Sequence, residues 1–268
     1  MSRNDGSLDD DITVIHEFIK DKVEKTGSNG VVMGLSGGLD SSTVLKLCID
    51  ALDKEKVHCI IMPEDATPDV DMDDARWLVD EWGVEWDEVP IDGILDSFPV
   101  DEDKRIPYAN LKARVRMCIW YYFANVEKKL VVGCSNKSEV LLGYTTKYGD
   151  CAADFLPIGD VFKSDLKEMA KSIGVPERFL DKTPRAGLWK GQTDEEELGY
   201  SYETLDVVLK GIEGLNPVED IVEKSGLTLD EVKNIKRTVE RNAHKRKIPT
   251  IVKLRSRTVG LDWREYSY

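Results

Sequence analysis

The chain has 268 residues, of which 41% are hydrophobic and 33% are charged, so its composition excludes a disordered segment and a fibrous repeat. The 51 acidic residues exceed the 37 basic residues and give a formal net charge of −14, which disfavours generic binding to nucleic acid. The longest apolar run, residues 117–124, is far shorter than the ~20 residues that cross a bilayer, and the acidic start is unlike a signal peptide. We therefore expect a cytoplasmic protein without a membrane partner.

The cysteines are odd in number and form no CxxC pair, so the sequence predicts neither a disulfide framework nor a tetrathiolate zinc site. They are Cys48, Cys59, Cys118, Cys134 and Cys151. We expect reduced thiols that pack as small hydrophobic side chains in strands and helices. His16 and His58 fall in a predicted helix and a predicted strand without metal-ligand spacing, so we expect structural roles for both.

In the first half of the chain, apolar residues alternate between helical spacing and short continuous runs. The runs predict strands at residues 31–35, 57–62, 84–89 and 130–134. The helical spacing predicts helices at residues 12–23, 43–51, 73–82 and 106–127. This alternation is typical of an α/β fold with a doubly wound parallel sheet that helices cover on both faces.

After Asp150 the strand signals stop, and helical spacing predicts helices at residues 163–173, 202–212 and 229–245. The chain contains no internal repeat, low-complexity tract or Ser/Gly linker that would mark a domain boundary. We therefore predict one domain, residues 1–268, with a helical elaboration in its C-terminal half.

The turn that follows the first predicted strand has the sequence SGGLDSS, residues 36–42. It lies where an open α/β sheet binds ligands, between the carboxyl end of a strand and the N-terminus of a helix. Gly37 and Gly38 lack a Cβ, so backbone N–H groups can approach an anion closely, and the seryl hydroxyls add donors. The chain has no Gly-Lys dipeptide and no GxG, which excludes a Walker loop and a dinucleotide fingerprint. The turn therefore predicts a phosphate site, with an ordinary Ser-capped turn as the alternative.

The SGGLDSS turn resembles the pyrophosphate-binding loop of the N-type ATP pyrophosphatases, which split ATP into AMP and pyrophosphate to adenylate a substrate. Further segments resemble the ammonia-dependent NAD synthetases of that superfamily. They lie, in chain order, at residues 110–117, 133–139, 143–150, 156–159 with Lys163, 187–195 and 244–246. The resemblance implies an adenine nucleotide alpha hydrolase-like fold and the amidation of deamido-NAD by ammonia, with ATP and Mg²⁺.

The resemblance also implies roles for the residues that match family motifs. The ATP contacts would be Gly34, Leu35, Ser36, Gly37, Gly38, Leu39, Asp40, Ser41, Ser42, Cys134 and Lys163. The deamido-NAD contacts would be Arg116, Lys147, Asp154, His244 and Lys245. Asp40 and Glu139 would bind Mg²⁺, an ion that prefers hard oxygen ligands. Asp150 and Lys163 are the expected catalytic residues, and the Asp150 carboxylate is our candidate to accept the proton of ammonium.

Plainer interpretations exist for several of these residues. Arg116 and Lys112 can form the solvated edge of an amphipathic helix, and Glu139 can be a first-turn acid that the helix dipole favours. His244 lies in a basic stretch, residues 236–257, which contains nine Lys and Arg and a single acid. Such a stretch can be an RNA-facing tail, a solvated helix end or a clamp for a small anion, and the resemblance favours the clamp.

The sequence departs from the family pattern at four positions. The family usually has Thr at Cys134, two glycines at Cys151 and Ala152, and a small hydroxyl residue at Arg185. A thiol is a poorer donor than a hydroxyl, and an arginine replaces the hydroxyl residue at 185, so two expected ATP contacts are altered. We leave Arg185 out of the predicted site. The loss of two glycines restricts the loop that carries Asp150.

Other functions are compatible with the phosphate-binding turn. A related adenylating enzyme can aminate XMP or thiolate tRNA, although tRNA-thiolating enzymes commonly have paired cysteines and a basic surface, which this chain lacks. A noncatalytic ATP sensor would not need Asp40 and Glu139 together and would release no pyrophosphate. The synthetase segments occupy the whole chain, so we expect no amidotransferase domain and a nitrogen supply from free ammonia or from a separate protein.

The predicted helix at residues 106–127 carries an apolar band that is too wide for one buried stripe. The band consists of Met117, Ile119, Trp120, Tyr121, Tyr122 and Phe123. One face can pack on the sheet, and the rest needs a further partner. We predict a homodimer, the state that the resemblance also implies, with coverage by later helices of the same chain as the alternative.

Overall fold

Four short parallel strands form one sheet at the centre of the protein. They are β1 (Val31–Gly34), β2 (Val57–Ile61), β3 (Glu85–Glu88) and β4 (Leu130–Val132), in the order β3-β2-β1-β4. All three neighbouring pairs are parallel, so the predicted doubly wound parallel sheet is confirmed. The structure is a computed structural model, and it describes residues 7–185, 187, 189, 191–247 and 249–262.

Helices connect and cover the strands. In the described residues they are α1 (Leu8–Thr26), α2 (Leu39–Leu52), α3 (Asp69–Trp82), α4 (Asp92–Leu95), α5 (Arg105–Glu127), α6 (Lys137–Leu142), α7 (Lys163–Ser172), α8 (Glu177–Leu180), α9 (Asp194–Leu198), α10 (Tyr202–Glu213), α11 (Val218–Ser225) and α12 (Leu229–Arg241). No helix within the described ranges is long and apolar enough to cross a membrane.

Successive residues of a strand point to opposite sides, and β1 and β2 are buried on both faces, whereas the edge strand β3 is mostly exposed. Val31 and Met33 of β1 belong to one apolar cluster with α1, α2, α3, α7 and α8. Val32, between them, belongs to a second cluster with α4 and α5 on the other face. Helices therefore cover both faces of the sheet, as the sequence pattern predicts, with α2 and α3 on one face and α4 and α5 on the other.

A third apolar cluster lies beyond the sheet and confirms the predicted helical elaboration. It joins α6, α10, α11 and α12 around buried residues such as Leu142, Val208 and Ile235. Helix α12 ends at Arg241 rather than continuing to residue 245, and a 3-10 helix follows at Asn242–Arg246. The cause is a tertiary contact, since the Asn242 side-chain amide donates to the Leu142 carbonyl at the end of α6, at 2.6 Å.

The cysteines are unpaired, as predicted, and two of the five are buried. Cys48 and Cys59 lie in the core, whereas Cys118 is exposed, so the expectation of a buried thiol is wrong at that position. Arg114, Cys118 and Tyr122 recur every four residues along α5 and form its exposed face.

His58 has the structural role expected for it. The side chain is 3% exposed, and Nδ1 lies 2.5 Å from Glu127 Oε1 at the end of α5. His58, Glu85 and Glu127 approach one another closely enough to hold a cation. The Lys129 ammonium is 2.6 Å from Glu127 Oε2, so an internal positive charge offsets part of the negative charge of this group.

The strand order reverses beside β1. The chain moves from β1 outward to β2 and β3, and α5 then returns it to place β4 on the other side of β1. Open α/β sheets bind ligands at such a switch point, outside the carboxyl ends of the strands. In this chain, the SGGLDSS turn after β1 and residues 133–136 after β4 meet at that point.

Candidate active site

A cavity of about 470 Å³ opens at the switch point. Its walls come from the SGGLDSS turn, the residues after β4, the middle of α5, loop 143–150, the start of α7 and the segment at residues 182–197. The volume lies within the range of small-molecule sites. The cavity is therefore the candidate active site.

The SGGLDSS turn is shaped by its own hydroxyls and by one obligatory glycine. Ser36 Oγ lies 3.0 Å from Ser41 Oγ and accepts from the Gly38 N–H at 3.3 Å. Gly37 has a φ of 73°, and a Cβ there would lie 2.1 Å from the Asp71 carbonyl oxygen, so only glycine fits. Among the described residues, no side chain caps the start of α2 at Gly38. The first-turn N–H groups of α2 therefore remain available to an anion.

Asp40, Glu139 and Lys163 form a charged cluster beside this turn. Asp40 Oδ1 pairs with Lys163 Nζ, and Asp40 Oδ2 accepts from Asn136 Nδ2 at 2.7 Å. Asn136 is also the N-cap of α6 and forms a capping box with Glu139. Asn136 thus links both carboxylates, which reach the cavity from α2 and α6.

Several carboxylates lie close together in this buried cluster, and Lys163 is the lysine among them. Burial raises the pKa of Glu139 well above its ordinary value, and the neighbouring Asp40 charge adds to the rise. Burial lowers the pKa of Lys163, but Asp40 and Glu139 outweigh this effect and raise it. Burial also raises the pKa of Asp194 at the start of α9. The carboxylates here exceed the one lysine among them, so a further cation would stabilise the cluster.

Arg116 and Asp150 also line the cavity, and their charges interact. Arg116 projects from α5, where its Nη2 donates to the Met62 carbonyl oxygen after β2 at 3.4 Å. Asp150 ends loop 143–150, and its Oδ1 accepts from the Thr146 N–H at 2.7 Å. Burial raises the pKa of Asp150, although this hydrogen bond opposes the rise. A raised pKa makes this carboxylate a stronger proton acceptor.

Lys245 reaches the cavity from the 3-10 helix after α12. Its ammonium donates to the carbonyl oxygens of Gly143 and Thr145, at 2.6 and 2.7 Å. Burial lowers the pKa of Lys245, and the neighbouring Asp150 opposes this change. The ammonium thus holds the start of the loop that carries Asp150.

Thirteen of the predicted site residues line the cavity: Gly34, Leu35, Ser36, Gly38, Leu39, Asp40, Ser41, Arg116, Cys134, Glu139, Asp150, Lys163 and Lys245. The others lie outside its lining: Gly37, Ser42, Lys147, Asp154 and His244. Gly37 supplies the positive φ of the turn, and Ser42 Oγ donates to the Gly38 carbonyl oxygen at 2.8 Å. Asp154 Oδ2 accepts from the Val131 N–H at 2.7 Å, Lys147 Nζ lies 5.2 Å from the Tyr148 ring centroid, and His244 is exposed. Substrate contacts by these last three stay predictions.

The fold also brings residues to the cavity that the sequence does not single out. Asp194 is buried, and its carboxylate accepts from the Tyr144 hydroxyl at 3.2 Å and from the Tyr202 hydroxyl at 3.3 Å. Asp194 falls within the family-like segment 187–195. The resemblance identifies that segment but does not single out Asp194. Of that segment, Leu188 and Lys190 lie outside the described residues.

Three of the four departures from the family pattern have a plain structural account. Neither Cys151 nor Ala152 has a positive φ, so their backbone conformation does not require glycine. Cys134 lines the cavity, and burial next to Asp40 raises its thiol pKa well above the ordinary value. It therefore stays a neutral thiol, which is a weak donor.

The parallel sheet, the turn at its switch point and the adjoining acids define a nucleotide-binding protein of the α/β class. A family model described as NAD synthase matches residues 11–249. The chain belongs to the NAD synthase family. An NH3-dependent NAD+ synthetase of Methanocaldococcus jannaschii is 45% identical over 249 residues, which cover 91% of this chain and 96% of that protein.

Solved structures agree with this assignment. An NH3-dependent NAD synthetase from Campylobacter jejuni is 32% identical, has a TM-score of 0.76, and the match covers 92% of this chain and 100% of that chain. An NMN synthetase from Francisella tularensis is 30% identical, with a TM-score of 0.82, and the match covers 93% of this chain and 100% of that chain.

Proposed function

We propose that this chain is an ammonia-dependent NAD synthetase, which uses ATP to amidate deamido-NAD through an adenylated intermediate and releases NAD, AMP and pyrophosphate. The observation that carries this proposal is a single cavity, which joins the phosphate-binding turn to a wall with Arg116, Asp150 and Lys245. ATP and a second anionic substrate can therefore meet in one site. The name of the Methanocaldococcus jannaschii relative supports the same activity.

The reaction needs an activated acid because the carbon of a carboxylate is electron-rich and oxide is a poor leaving group. Attack of the nicotinate oxygen on the α-phosphorus of ATP forms a mixed anhydride and breaks the bond to pyrophosphate. Ammonia then attacks the acyl carbon, the bond to AMP breaks, and one proton passes to a base. The site must supply positive charge at the pyrophosphate and a proton acceptor near the acyl carbon.

The turn and Lys163 meet the first requirement. The uncapped N–H groups of α2 and the hydroxyls of Ser36 and Ser41 donate to phosphate oxygens and stabilise the charge that grows on pyrophosphate. Lys163 lies against Asp40 at the same edge of the cavity and is our proposed cationic contact to ATP. The other proposed ATP contacts are the lining residues from 34 to 41 and Cys134.

Asp40 and Glu139 fit a divalent cation. Both contact Asn136, and both are carboxylates in a cluster whose burial and mutual repulsion raise the pKa of Glu139. We propose that they hold Mg²⁺, which prefers oxygen ligands. When bound, Mg²⁺ supplies positive charge that polarises phosphoryl oxygens.

Asn136→Asp is expected to impair this site more than the fold. Aspartate is as good an N-cap as asparagine, so α6 keeps its start, but the variant loses the donor to Asp40 and adds a third carboxylate. We expect kcat/KM to fall about 100-fold, by analogy with the loss of one oriented donor in an active site. Asn136→Ser keeps a capping hydroxyl but also loses the donor to Asp40, so it separates the effect of the lost donor from that of the added charge. Wild-type kcat/KM in both variants, measured in steady state with matched melting curves, would contradict the argument.

Arg116 and Lys245 are the proposed contacts to the negative charges of deamido-NAD. Both line the same cavity as the α2 turn, and the charge of Asp150, in the loop that Lys245 holds, interacts with each of them. A carboxylate at that place can bind ammonium and accept a proton from it. Lys147, Asp154 and His244 are kept as proposed substrate contacts on the family resemblance alone.

A second acceptor fits the likeness to the NMN synthetase of Francisella tularensis, namely nicotinate mononucleotide. It carries the same reacting carboxylate, and differs from deamido-NAD in lacking the adenylate half. The proposal favours deamido-NAD because the curated relative from Methanocaldococcus jannaschii, the more similar in sequence at 45% identity, is an NAD+ synthetase.

Pyrophosphate release tests the function directly. The purified chain is incubated with ATP, Mg²⁺ and ammonium, and deamido-NAD, nicotinate mononucleotide or XMP is the acceptor. We expect release with deamido-NAD, formation of NAD in equal amount, and a kcat/KM well above that for nicotinate mononucleotide. Release of pyrophosphate with XMP but not with deamido-NAD would contradict the proposal. Binding of ATP without any release would instead favour a nucleotide sensor.

We also propose that the chain acts as a homodimer through α5. In the described residues, none of the six members of the predicted apolar band is fully buried, and Tyr122 and Val126 are 66% and 65% exposed.

Tyr122→Glu is expected to give monomers in sedimentation, because it places a charge on the proposed interface. Activity should be lost with the dimer, because Arg116, a proposed substrate contact, lies on the same helix. Val14→Glu on α1 places the same charge at a residue that is 67% exposed and is the matched control. A fully active monomer at assay concentration would refute the interface.

The nitrogen donor and the location belong to the proposal as well. We propose free ammonia as the donor, in line with the name of the curated relative. A cytoplasmic location and a single domain over residues 1–268 stay predictions from the sequence.

A further inference from the structure

Asp206 is a buried carboxylate in α10 to which the proposed reaction assigns no role. It is 1% exposed, on a helix that contributes Leu205 and Val208 to the third apolar cluster. A carboxylate in such surroundings is costly unless hydrogen bonds satisfy its oxygens. Asp206 Oδ1 accepts from the Ser138 hydroxyl at 2.5 Å, and Oδ2 accepts from the Ser164 N–H at 2.8 Å. The carboxylate therefore joins α10 to both α6 and α7.

The start of α7 is capped by side chains of other helices. Phe162, the N-cap residue of α7, has an apolar side chain that cannot accept a hydrogen bond. The Lys163 N–H donates instead to Ser138 Oγ at 3.0 Å, and the Ser164 N–H donates to Asp206. The first N–H groups of a helix have no partner within the helix, so such contacts determine where it begins. The backbone position of Lys163, the first residue of α7, is therefore set by α6 and α10.

The same hydrogen bonds reach the helix that carries Glu139. Ser138 precedes Glu139 in the first turn of α6 and is fully buried, and its hydroxyl both donates to Asp206 and accepts from the Lys163 N–H. Tyr202 lies four residues before Asp206 on the same face of α10, and its ring centroid is 5.6 Å from Lys163 Nζ. Helix α10 therefore fixes the start of α7 and also contacts the ammonium that α7 presents to the cavity.

We propose that Asp206 is a positioning residue, which acts through Ser138 to hold Lys163 and Glu139 in the cluster that they form with Asp40. Asp206 does not line the cavity, so its effect must pass through these contacts. The inference rests on the proposed roles of Lys163 at ATP and of Glu139 at Mg²⁺. It adds the element that sets the distance between them, since one buried carboxylate is bonded to the starts of both helices.

Steady-state kinetics of the full-length protein, over a range of Mg²⁺ concentrations, test the inference. Asp206→Asn keeps the side-chain size but has one acceptor oxygen, so either Ser138 or Ser164 loses its acceptor. We expect kcat to fall about 10- to 100-fold, the range for residues that orient the ligands of a metal site. The half-saturating Mg²⁺ concentration should rise, and KM for deamido-NAD should stay unchanged. Ser138→Ala should reproduce this pattern, and the double variant should lose about as much as the more impaired single variant, because both residues act through the same contacts.

Val208→Ala is the matched control, because it loosens the same helix without touching these hydrogen bonds. Val208 is fully buried in the third apolar cluster, so the variant should lower the melting temperature and leave kcat and the Mg²⁺ dependence unchanged. An equal fall of kcat in Val208→Ala would overturn the inference, since it would assign the loss to weaker packing. Wild-type kcat in Asp206→Asn would also overturn it and leave the proposed function standing, and Ser138→Ala decides in the same way if Asp206→Asn does not fold. Absence of NAD formation by the wild-type protein would instead overturn both.

Discussion

Asp40→Asn and Glu139→Gln are each expected to slow NAD formation about 1000-fold or more, because each removes a charge from the proposed Mg²⁺ site at constant side-chain volume. The fold should persist in both variants. Glutamine at the third position of α6 preserves the capping box with Asn136, and an asparagine in place of Asp40 stays in the first turn of α2. Steady-state rates across a range of Mg²⁺ concentrations, with circular dichroism and melting curves, give the measurement.

Asp50→Asn is the matched control for this pair. Asp50 lies on the same helix α2, pairs with Lys46 rather than with a cavity residue, and does not line the cavity. Its replacement removes the same charge and should leave the rate unchanged. Near-wild-type turnover in Asp40→Asn or Glu139→Gln would remove that residue from the proposed metal site.

Asp150→Asn is expected to lower kcat for ammonia-dependent synthesis about 1000-fold, within the range for the loss of a positioned proton acceptor. The amide can still accept a hydrogen bond from the Thr146 N–H, so the loop keeps its local contact. Asp160→Asn serves as the control, since that side chain is 95% exposed and lies away from the cavity lining.

The pH dependence gives the Asp150 prediction a definite sign. Burial raises the pKa of Asp150, and its ionised form is the one that accepts a proton. In the wild type, kcat should therefore fall as pH drops through the raised pKa and level off above it. The experiment adjusts total ammonium so that free ammonia stays constant at each pH. Asp150→Asn should lack this acid limb, and the same limb in both proteins would assign it to another group.

Most of the longer strands and helices can be predicted from the local spacing of apolar residues. The apolar runs of β1 and β2 mark strands because both faces of the sheet are buried. The short helices α4, α8 and α9, of four or five residues, carry no periodicity that a sequence can display, and they escape prediction. The end of α12 depends on the contact between Asn242 and the carbonyl at the end of α6.

The candidate site likewise has a part that local sequence predicts and a part that only tertiary contacts bring together. Local sequence identifies the SGGLDSS turn, because its glycines, hydroxyls and flanking strand are contiguous in the chain. Lys182 has no such signal, since its contact with Asp71 joins residues 111 positions apart, and the contact of Lys245 with Gly143 spans 102. Packing of α6 and α10–α12 into their own apolar cluster brings the Lys245 segment to the cavity. Residue types along the chain therefore specify the phosphate site, whereas the burial of distant helices selects the cations and acids around it.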